Sequence, residues 1–169
     1  MNVLVTGANG QLGNEMRLMA QNSSHHYIFT DVEELDITDF NAILQTVKEK
    51  EIQIIVNCAA YTNVDKAEND FDTANALNNI AVGRLANVAK AQNATLIHIS
   101  TDYVFNGNNH IPYTEDDITD PIGVYGKTKL AGEETIKKVG CNYIILRTAW
   151  LYSKWGNNFV KTMQKLTLE

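Results

Sequence analysis

A tyrosine and a lysine in the segment "YGKTK" are spaced for shared proton chemistry. Tyr125 and Lys129 are four residues apart, so a helix would place both side chains on one face. A phenol has a pKa of about 10, which is too high for efficient proton transfer near neutral pH. A lysine ammonium beside the phenol stabilises the phenolate and lowers that pKa. The pair therefore predicts an acid–base site, although the same spacing also occurs by chance with an exposed tyrosine and a solvated lysine.

A hydroxyl side chain follows the fourth predicted strand. Thr101, in "STDYVF", comes directly after the apolar segment 95–100, at the carboxyl edge of the expected sheet. There its hydroxyl can hydrogen-bond a substrate oxygen beside Tyr125. The alternative is that Ser100 and Thr101 only end the strand.

Three glycines in "GANGQLG" directly follow the first predicted strand. In a parallel α/β sheet this turn faces the ligand crevice. Gly7 allows a tight turn, Gly10 lets a pyrophosphate approach the backbone, and Gly13 lets the helix pack close to the strand. The N-terminus of that helix offers free N–H groups and a positive dipole end to phosphates. The alternative is a tight turn without a ligand.

Acidic residues after the second strand suit the adenosine half of a dinucleotide. Asp31 ends that strand, 18 residues after Gly13, where a carboxylate can accept hydrogen bonds from a ribose. Asp36 and Ile37 are placed to flank an adenine, with a carboxylate for its amino group and an apolar side chain for its ring. The alternatives are turn or capping aspartates and a core isoleucine. The sequence puts no arginine near Asp31, which favours NADH over NADPH.

Five apolar segments alternate with helical patterns along the chain. Strands are predicted at 2–6, 27–30, 52–60, 95–100 and 143–149, and helices at 11–20, 40–50, 72–92, 122–139 and 157–168. Cys58 and Cys141 fall in predicted buried strands, and Ile80 falls on the buried face of the long third helix. This alternation predicts right-handed crossovers and a parallel sheet. We therefore predict one dinucleotide-binding domain over residues 1–169, an α/β doubly wound parallel sheet (Rossmann fold) in three αβα layers.

Composition limits the partners and the compartment. The 169 residues carry a net charge of -6, which argues against a nucleic-acid partner. No segment has the pattern of a signal peptide, and none approaches the ~18 apolar residues of a membrane span. The two cysteines lack a CxxC partner and the four histidines lack a metal-binding spacing. We expect a cytoplasmic protein with reduced thiols and no membrane contact.

Five segments, in chain order, carry a family resemblance: "GANGQLG", "VNCAAYTNVDKAE", "STDYVFNG", "VYGKTKLAGE" and "LRTAWLY". They span nearly the whole chain, and no catalytic position departs from the family pattern. The chain resembles the extended short-chain dehydrogenase/reductases, and within them the dTDP-4-dehydrorhamnose reductase branch. The resemblance implies reduction of a dTDP-bound 4-keto-6-deoxy sugar to dTDP-L-rhamnose, a precursor of surface polysaccharide, with NADH or NADPH as the hydride donor.

The resemblance also assigns roles by position. The implied catalytic set is Thr101, Tyr125 and Lys129, and Lys129 would also hold the nicotinamide ribose. The implied cofactor contacts are Gly7, Gly10, Gln11, Leu12, Gly13, Asp31, Asp36, Ile37, Ala60, Tyr61, Thr62, Tyr125 and Lys129. The implied substrate contacts are Val64, Thr101, Asp102, Tyr103 and Trp150. Asn78 would be structural, and Trp150 is alternatively a core aromatic, because it follows a buried strand.

The chain is shorter than the family pattern. It ends in a predicted helix that begins "GNNFVKTMQKL", and its final "LE" resembles a remnant of cloning. We expect a C-terminal substrate-binding lobe to be absent, with the residues that clamp the nucleotide diphosphate. The magnesium association and homodimer contacts that the resemblance implies would use that absent part, and no magnesium ligands are identified here. We therefore expect cofactor binding to be stronger than turnover.

Two other functions remain open on the same scaffold. The regulatory β subunit of methionine adenosyltransferase resembles this family and is a binding protein. A nucleotide-sugar epimerase or dehydratase is the other alternative. A dehydratase needs an acid–base pair after the fourth strand, where this chain has Asp102 followed by Tyr103 and not by glutamate.

Overall fold

A parallel five-stranded sheet forms the centre of the molecule in the computed structural model, which describes residues 1–168. The strands lie in the order β2-β1-β3-β4-β5 and are all parallel. They are β1 (Asn2–Thr6), β2 (His26–Thr30), β3 (Ile54–Asn57), β4 (Thr95–Thr101) and β5 (Asn142–Thr148). The order reverses on either side of β1, as in a doubly wound sheet. The predicted Rossmann fold is confirmed.

Helices connect every pair of consecutive strands. They are α1 (Gln11–Ala20), α2 (Phe40–Glu49), α3 (Val64–Ala67), α4 (Phe71–Asn75), α5 (Ala81–Ala91), α6 (Val124–Val139) and α7 (Phe159–Leu166). A π-helical turn (Ala76–Ile80) joins α4 to α5, and a 3-10 turn (Asp102–Val104) follows β4. The Asp39 carboxylate caps α2 by accepting hydrogen bonds from the N–H groups of Asn41 and Ala42.

The middle residues of β1, β2 and β3 are apolar because both faces of this part of the sheet are covered. On one face Leu4, Ile55 and Leu96 pack in a large core with residues of α2, α5 and α6. On the other face Val3 and Val5 form a smaller core, against which Met16 of α1 packs. Because alternate residues of a strand point to opposite faces, β1 alone contributes to both cores.

Several boundary predictions were wrong. β3 begins at 54 and not at 52, α6 begins at 124 and not at 122, and β5 covers 142–148 and not 143–149. One end each of β2, α2 and β4 differs by one residue. The third strand ends at Asn57 and not at residue 60, because the Ala59 N–H turns back to the Asn57 side chain instead of joining the ladder. Cys58 therefore follows β3, and Cys141 precedes β5, so neither cysteine lies in a strand. The last helix covers 159–166, within the predicted 157–168.

The predicted long helix at 72–92 is interrupted. The π-helical turn divides it into α4 and α5. Ile80 is 46% exposed, contrary to the prediction. The buried positions in this region are 74, 78, 81–83, 85, 86, 88 and 89. They form one face that recurs every three or four residues and leaves position 80 on the outer side.

Candidate active site

A cleft of about 870 Å³ opens at the carboxyl ends of the strands, across the point where the strand order reverses. Ligands of doubly wound folds bind at this position. The cleft brings together all but two of the residues singled out in the sequence. Those lining it are Gly7, Gly10, Gln11, Leu12, Asp31, Asp36, Ile37, Ala60, Thr62, Val64, Thr101, Asp102, Tyr103, Tyr125, Lys129 and Trp150.

The glycine turn leads from β1 into α1 at one end of the cleft. Gly7 has a φ of 64°, and a Cβ there would lie 2.5 Å from the Ala59 nitrogen, so only glycine fits. Gly10 is the N-cap of α1 and has no side chain to cap the helix. The first N–H groups of α1 are therefore left for an anion in the cleft. Gly13 lies outside the cleft wall, where its missing Cβ lets α1 pack against Ala8.

The Asp31 carboxylate is fixed by the backbone around it. It accepts hydrogen bonds of 2.9 Å from the N–H groups of Asn9 and Val32. An arginine lies next to this end of the cleft, although it does not line the cleft itself. Arg17 lies over the Phe29 ring at 4.6 Å, and its Nη2 donates to the Asn9 side chain at 3.3 Å. The sequence hid this proximity because α1 folds back beside β2.

Asp36 and Ile37 both border the cleft but differ in their surroundings. The exposed Asp36 carboxylate accepts hydrogen bonds from the N–H and hydroxyl of Thr38, at 2.8 and 2.7 Å. These hydrogen bonds hold the pKa of Asp36 below its usual value. Ile37 is buried and belongs to the larger core. Only part of its side chain is thus left to contact a ring.

Tyr125 lies in the first turn of α6, near Thr101 at the end of β4 and Tyr103 just after it. Its ring meets the Tyr103 ring edge-on, with centroids 5.6 Å apart. Burial raises the pKa of Tyr125 above its usual value, and the nearby Thr101 hydroxyl opposes this rise only in part. We expected Lys129 to lower this pKa, and in the chain alone that expectation is wrong. The reason is that burial dominates and the Lys129 amine is engaged elsewhere.

Lys129 is 2% exposed and lies one helical turn beyond Tyr125. Its Nζ donates to the Ile99 carbonyl at 2.7 Å and lies 3.5 Å from His98 Nε2. Burial lowers the pKa of Lys129 to about 8. The backbone thus holds the amine at the cleft, and the amine releases its proton at about pH 8, well below the usual range of a lysine.

A buried asparagine, Asn78, fixes the backbone of the segment after β3 by hydrogen bonds. Asn78 accepts a 2.9 Å hydrogen bond from the Tyr61 N–H and donates to the Tyr61 carbonyl at 3.1 Å. Its amide also donates to the Thr128 hydroxyl of α6 at 3.2 Å. The Tyr61 hydroxyl donates to Asp70, so this side chain points away from the cleft that Ala60 and Thr62 line. Tyr61 could reach a cofactor only through its backbone.

The five predicted substrate contacts all line the cleft. The Thr101 hydroxyl donates to the Asp102 carboxylate at 3.1 Å and accepts from the Tyr103 N–H at 3.2 Å. Val64 begins α3. Trp150 is 73% exposed, with its ring edge-on to Phe159 at 4.8 Å, so the alternative of a core aromatic is wrong.

Sequence reasoning missed several residues of the cleft wall. They are Asn9, Val32, Leu35, Cys58, Ala59, Leu77, Ile99, Ser100, Thr148, Leu151, Gly156 and Asn157. The rule that strand ends face the ligand would have found Ser100 and Thr148. No sequence signal marks the loop after β5, which reaches α1 through a 2.9 Å hydrogen bond from Asn158 Nδ2 to Gln11 Oε1.

Neither a metal-binding cluster nor a membrane-spanning helix is found in the part of the chain that the structure describes. Residues 1–168 contain no cluster of three or more His, Cys, Asp or Glu side chains that could hold a metal ion. Over the same residues, no helix combines the length and the apolar character needed to cross a membrane.

The family described as "RmlD substrate binding domain" matches residues 1–169. Among curated relatives, a dTDP-4-dehydrorhamnose reductase from Aggregatibacter actinomycetemcomitans is 41% identical over 165 residues. That match covers 97% of this chain and 56% of the relative. The chain therefore spans little more than half the length of this curated relative.

Two solved structures share the fold closely. The dTDP-4-dehydrorhamnose reductase from Clostridium acetobutylicum has a TM-score of 0.94 and is 47% identical, over 98% of this chain and 59% of that one. The dTDP-4-dehydrorhamnose reductase from Bacillus anthracis, solved in complex with NADP, also has a TM-score of 0.94. It is 43% identical over 98% of this chain and 59% of that one.

Proposed function

This chain belongs to the RmlD substrate binding domain family, and from that membership we propose that it is the cofactor-binding part of an NAD(P)H-dependent dTDP-4-dehydrorhamnose reductase. The reaction would be reduction of dTDP-4-dehydrorhamnose to dTDP-L-rhamnose. One observation carries the proposal. A single cleft joins the uncapped N-terminus of α1 to Thr101, Tyr125 and Lys129. An anion site and an acid–base set in one cleft suit a phosphate-bearing redox cofactor.

The residues at the glycine turn fit a dinucleotide. A Cβ at Gly10 would lie inside the glycine turn, 3.3 Å from the Gly7 carbonyl oxygen. The absence of this atom leaves room for a pyrophosphate. The backbone N–H groups at Gln11 and Leu12 would hold that pyrophosphate, and the Asp31 carboxylate would bind the adenosine ribose. Asp36 and Ile37 would border the adenine. Ala60, Thr62 and Lys129 would hold the nicotinamide half.

The protein's own part in the reaction is to manage one proton. A bound reduced nicotinamide would supply the hydride to the sugar carbonyl carbon. The Tyr125 hydroxyl would donate its proton to the oxygen that develops negative charge, and the Thr101 hydroxyl would bind the same oxygen. The raised pKa of Tyr125 keeps the phenol protonated until that charge develops. Asp102, Tyr103, Val64 and Trp150 would border the sugar nucleotide.

We propose that the chain uses NADPH as well as NADH. The B. anthracis structure named above contains NADP, and Arg17 lies close to the Asp31 end of this cleft. A guanidinium there suits a 2′-phosphate, which NADPH carries and NADH lacks. A homodimer, a magnesium association, a cytoplasmic location and a separate C-terminal substrate lobe stay predictions.

Cofactor titration tests the proposal directly. NADPH and NADH are titrated into the chain while nicotinamide fluorescence is followed. We expect saturable binding that Gly10→Glu abolishes, because its carboxylate would occupy the pyrophosphate position and repel it. Gln21→Glu is the matched control, since it adds the same charge at the opposite end of α1 and should bind normally. Binding that survives Gly10→Glu unchanged would contradict the site.

Turnover separates the proposed reaction from its alternatives. We expect this chain to bind the cofactor but to reduce dTDP-4-dehydrorhamnose only slowly, because it spans 56% of a curated relative. In the longer protein, Tyr125→Phe should lower kcat by about 10²-fold or more while leaving NADPH affinity intact.

NAD that stays bound through purification would instead indicate an epimerase. Binding of NADPH without any reduction by the longer protein would indicate a regulatory protein.

A further inference from the structure

A chain of buried polar side chains crosses the sheet beneath the cleft, from β1 to α6. The Thr6 hydroxyl donates to Asn57 Oδ1 at 2.8 Å, and Asn57 Nδ2 lies 3.1 Å from His98 Nδ1. His98 Nε2 in turn lies 3.5 Å from Lys129 Nζ. All four side chains are almost fully buried. The reaction proposed above uses only the last of them.

The backbone fixes which way the Asn57 amide points. The Ala59 N–H donates to the Asn57 side chain at 3.1 Å. Because a backbone N–H is only a donor, the atom that it meets is the amide oxygen. The Asn57 NH₂ group must then face His98, where it donates to Nδ1.

The amide orientation in turn fixes the histidine tautomer. Burial, together with the nearby Lys129, holds the pKa of His98 well below its usual value, so the imidazole is neutral. A neutral imidazole carries one proton, and an accepting Nδ1 places that proton on Nε2. The N–H of His98 therefore points at the Lys129 amine. The 3.5 Å separation exceeds the 2.7–3.2 Å of a good hydrogen bond, as expected for two facing donors.

This arrangement leaves Lys129 with one close acceptor on its buried side. One of its three N–H bonds goes to the Ile99 carbonyl. Glu133, one turn further along α6, is occupied by the Ser100 hydroxyl and by Arg147 of β5. The other titratable groups at this end are on the cleft side, where Tyr125 lies beside Asp102 and Tyr103.

We propose that Asn57 and His98 are positioning residues that act through Lys129. By presenting a donor instead of an acceptor, His98 leaves the remaining ammonium protons directed toward the cleft. There they would be available to the ribose of the cofactor proposed above. The inference rests on the proposed function for the role of Lys129, but the tautomer and the amine orientation follow from the protein alone.

Nuclear magnetic resonance of the ¹⁵N- and ¹³C-labelled chain tests the proposal without cofactor or substrate. Long-range ¹H–¹⁵N correlations report which imidazole nitrogen carries the proton, and the Lys129 Cε shift reports its titration. We expect His98 to hold its proton on Nε2 throughout pH 6–9, and Lys129 to titrate near pH 8. A proton on Nδ1 of His98 in the unmodified chain would overturn the proposal.

Two variants of the buried chain sharpen the test. Asn57→Asp replaces the NH₂ donor by an acceptor, so the His98 proton should move to Nδ1 and Nε2 should accept from Lys129. The Lys129 titration should then rise by about one pH unit or more. Thr6→Val is the matched control, since it removes one hydrogen bond of the same chain but keeps the Ala59 N–H that orients Asn57. It should leave both signals unchanged, and equal shifts in the two variants would refute the proposal.

If Asn57→Asp does not fold, the tautomer in the unmodified chain and in Thr6→Val still decides. Failure of the chain to bind NADPH would reject the proposed function but leave these signals as predicted. The two conclusions can therefore fail separately.

Discussion

Single residues in the cleft are tuned by burial more than by one another. Tyr125 and Lys129 share a face of α6, as their spacing predicts, but the pKa of each is shifted chiefly by loss of water. Loss of water favours the neutral form of both, so the phenol keeps its proton and the ammonium tends to lose one. Without a bound cofactor, burial therefore biases both groups toward their neutral forms.

The lowered pKa of Lys129 makes a prediction about stability. The folded chain releases this proton near pH 8, whereas an unfolded lysine holds it to about pH 10.5. Above pH 8 the unfolded state therefore binds more protons, so the free energy of unfolding should rise with pH. We expect Lys129 to contribute about 1 kcal/mol between pH 8 and pH 9. The two cysteine thiols oppose part of this gain, because their pKa values are raised by burial in the folded chain and unfolded thiols titrate in the same range.

Urea unfolding at pH 8 and pH 9 measures this gain. Lys129→Met should lose it, because no proton is then released on folding. Lys127→Met, an exposed position on the same helix, should keep it. An identical pH dependence in Lys129→Met and the unmodified chain would show that the Lys129 amine titrates normally.

Arg17 makes a prediction about cofactor choice. Arg17→Ala should weaken NADPH binding about tenfold, because one charge-assisted contact to the 2′-phosphate is lost. NADH affinity should change little, since NADH has no such phosphate. Fluorescence titration of both cofactors measures the ratio, and Lys48→Ala, which removes an exposed charge from α2, is the control. Equal loss for the two cofactors would assign Arg17 a structural role in the glycine turn.

Among the elements, α6 carries Tyr125 and Lys129 and must approach its neighbours closely. A Cβ at Gly132 would lie 2.2 Å from the Asn78 carbonyl oxygen in the π-helical turn. The same asparagine holds the Tyr61 backbone, so this contact links α6 to the segment after β3. The π-helical turn and Gly132 therefore pack directly against each other.

Gly132→Ala should therefore destabilise the chain. Alanine favours a helix interior by up to about 1 kcal/mol over glycine, but the forced shift of backbone should cost about 1–3 kcal/mol more than that gain. Gly83→Ala is the matched control, because its Cβ would meet only the Thr135 side chain, at 2.8 Å, and that side chain can move. Chemical denaturation compares the two variants. A Gly132→Ala chain as stable as Gly83→Ala would mean that α6 can shift freely.

At the scale of the whole molecule, the sheet is less covered at its β5 edge than at its centre. β5 is the last strand of the sheet, and Ile144 and Leu146 are 49% and 45% exposed. α7, which follows it, has no buried residue. An open strand edge beside apolar surface is a common route to association.

We expect the isolated chain to self-associate as its concentration rises. Leu146→Lys should reduce this association, because charge on an edge strand opposes pairing. Sedimentation velocity over a hundredfold range of concentration measures the effect. Leu18→Lys, on the exposed part of α1, is the control and should associate as the unmodified chain does. A monomer at every concentration would show that the β5 edge is already protected.

Much of the fold was predictable from the sequence because local patterns determine it. Continuous apolar segments predict strands that are covered on both faces, and Gly7 marks a turn that no other residue fits. The predicted type of each of these elements was correct, and so were both ends of β1 and α1, but the ends of the other elements were not all correct. Asn57 ends β3 because its side chain captures the Ala59 N–H, and such a side-chain contact leaves no period in the sequence.

By itself the sequence determined the parallel sheet, the ligand edge and the residue types that can hold a dinucleotide and move a proton. These follow from hydrophobic period and from motif spacing, which act over a few residues. Only the tertiary structure decided that Arg17 approaches the Asp31 end, that Trp150 is exposed, and that His98 faces Lys129. Burial and direction depend on segments far apart in the chain, and their energies appear only when those segments pack together.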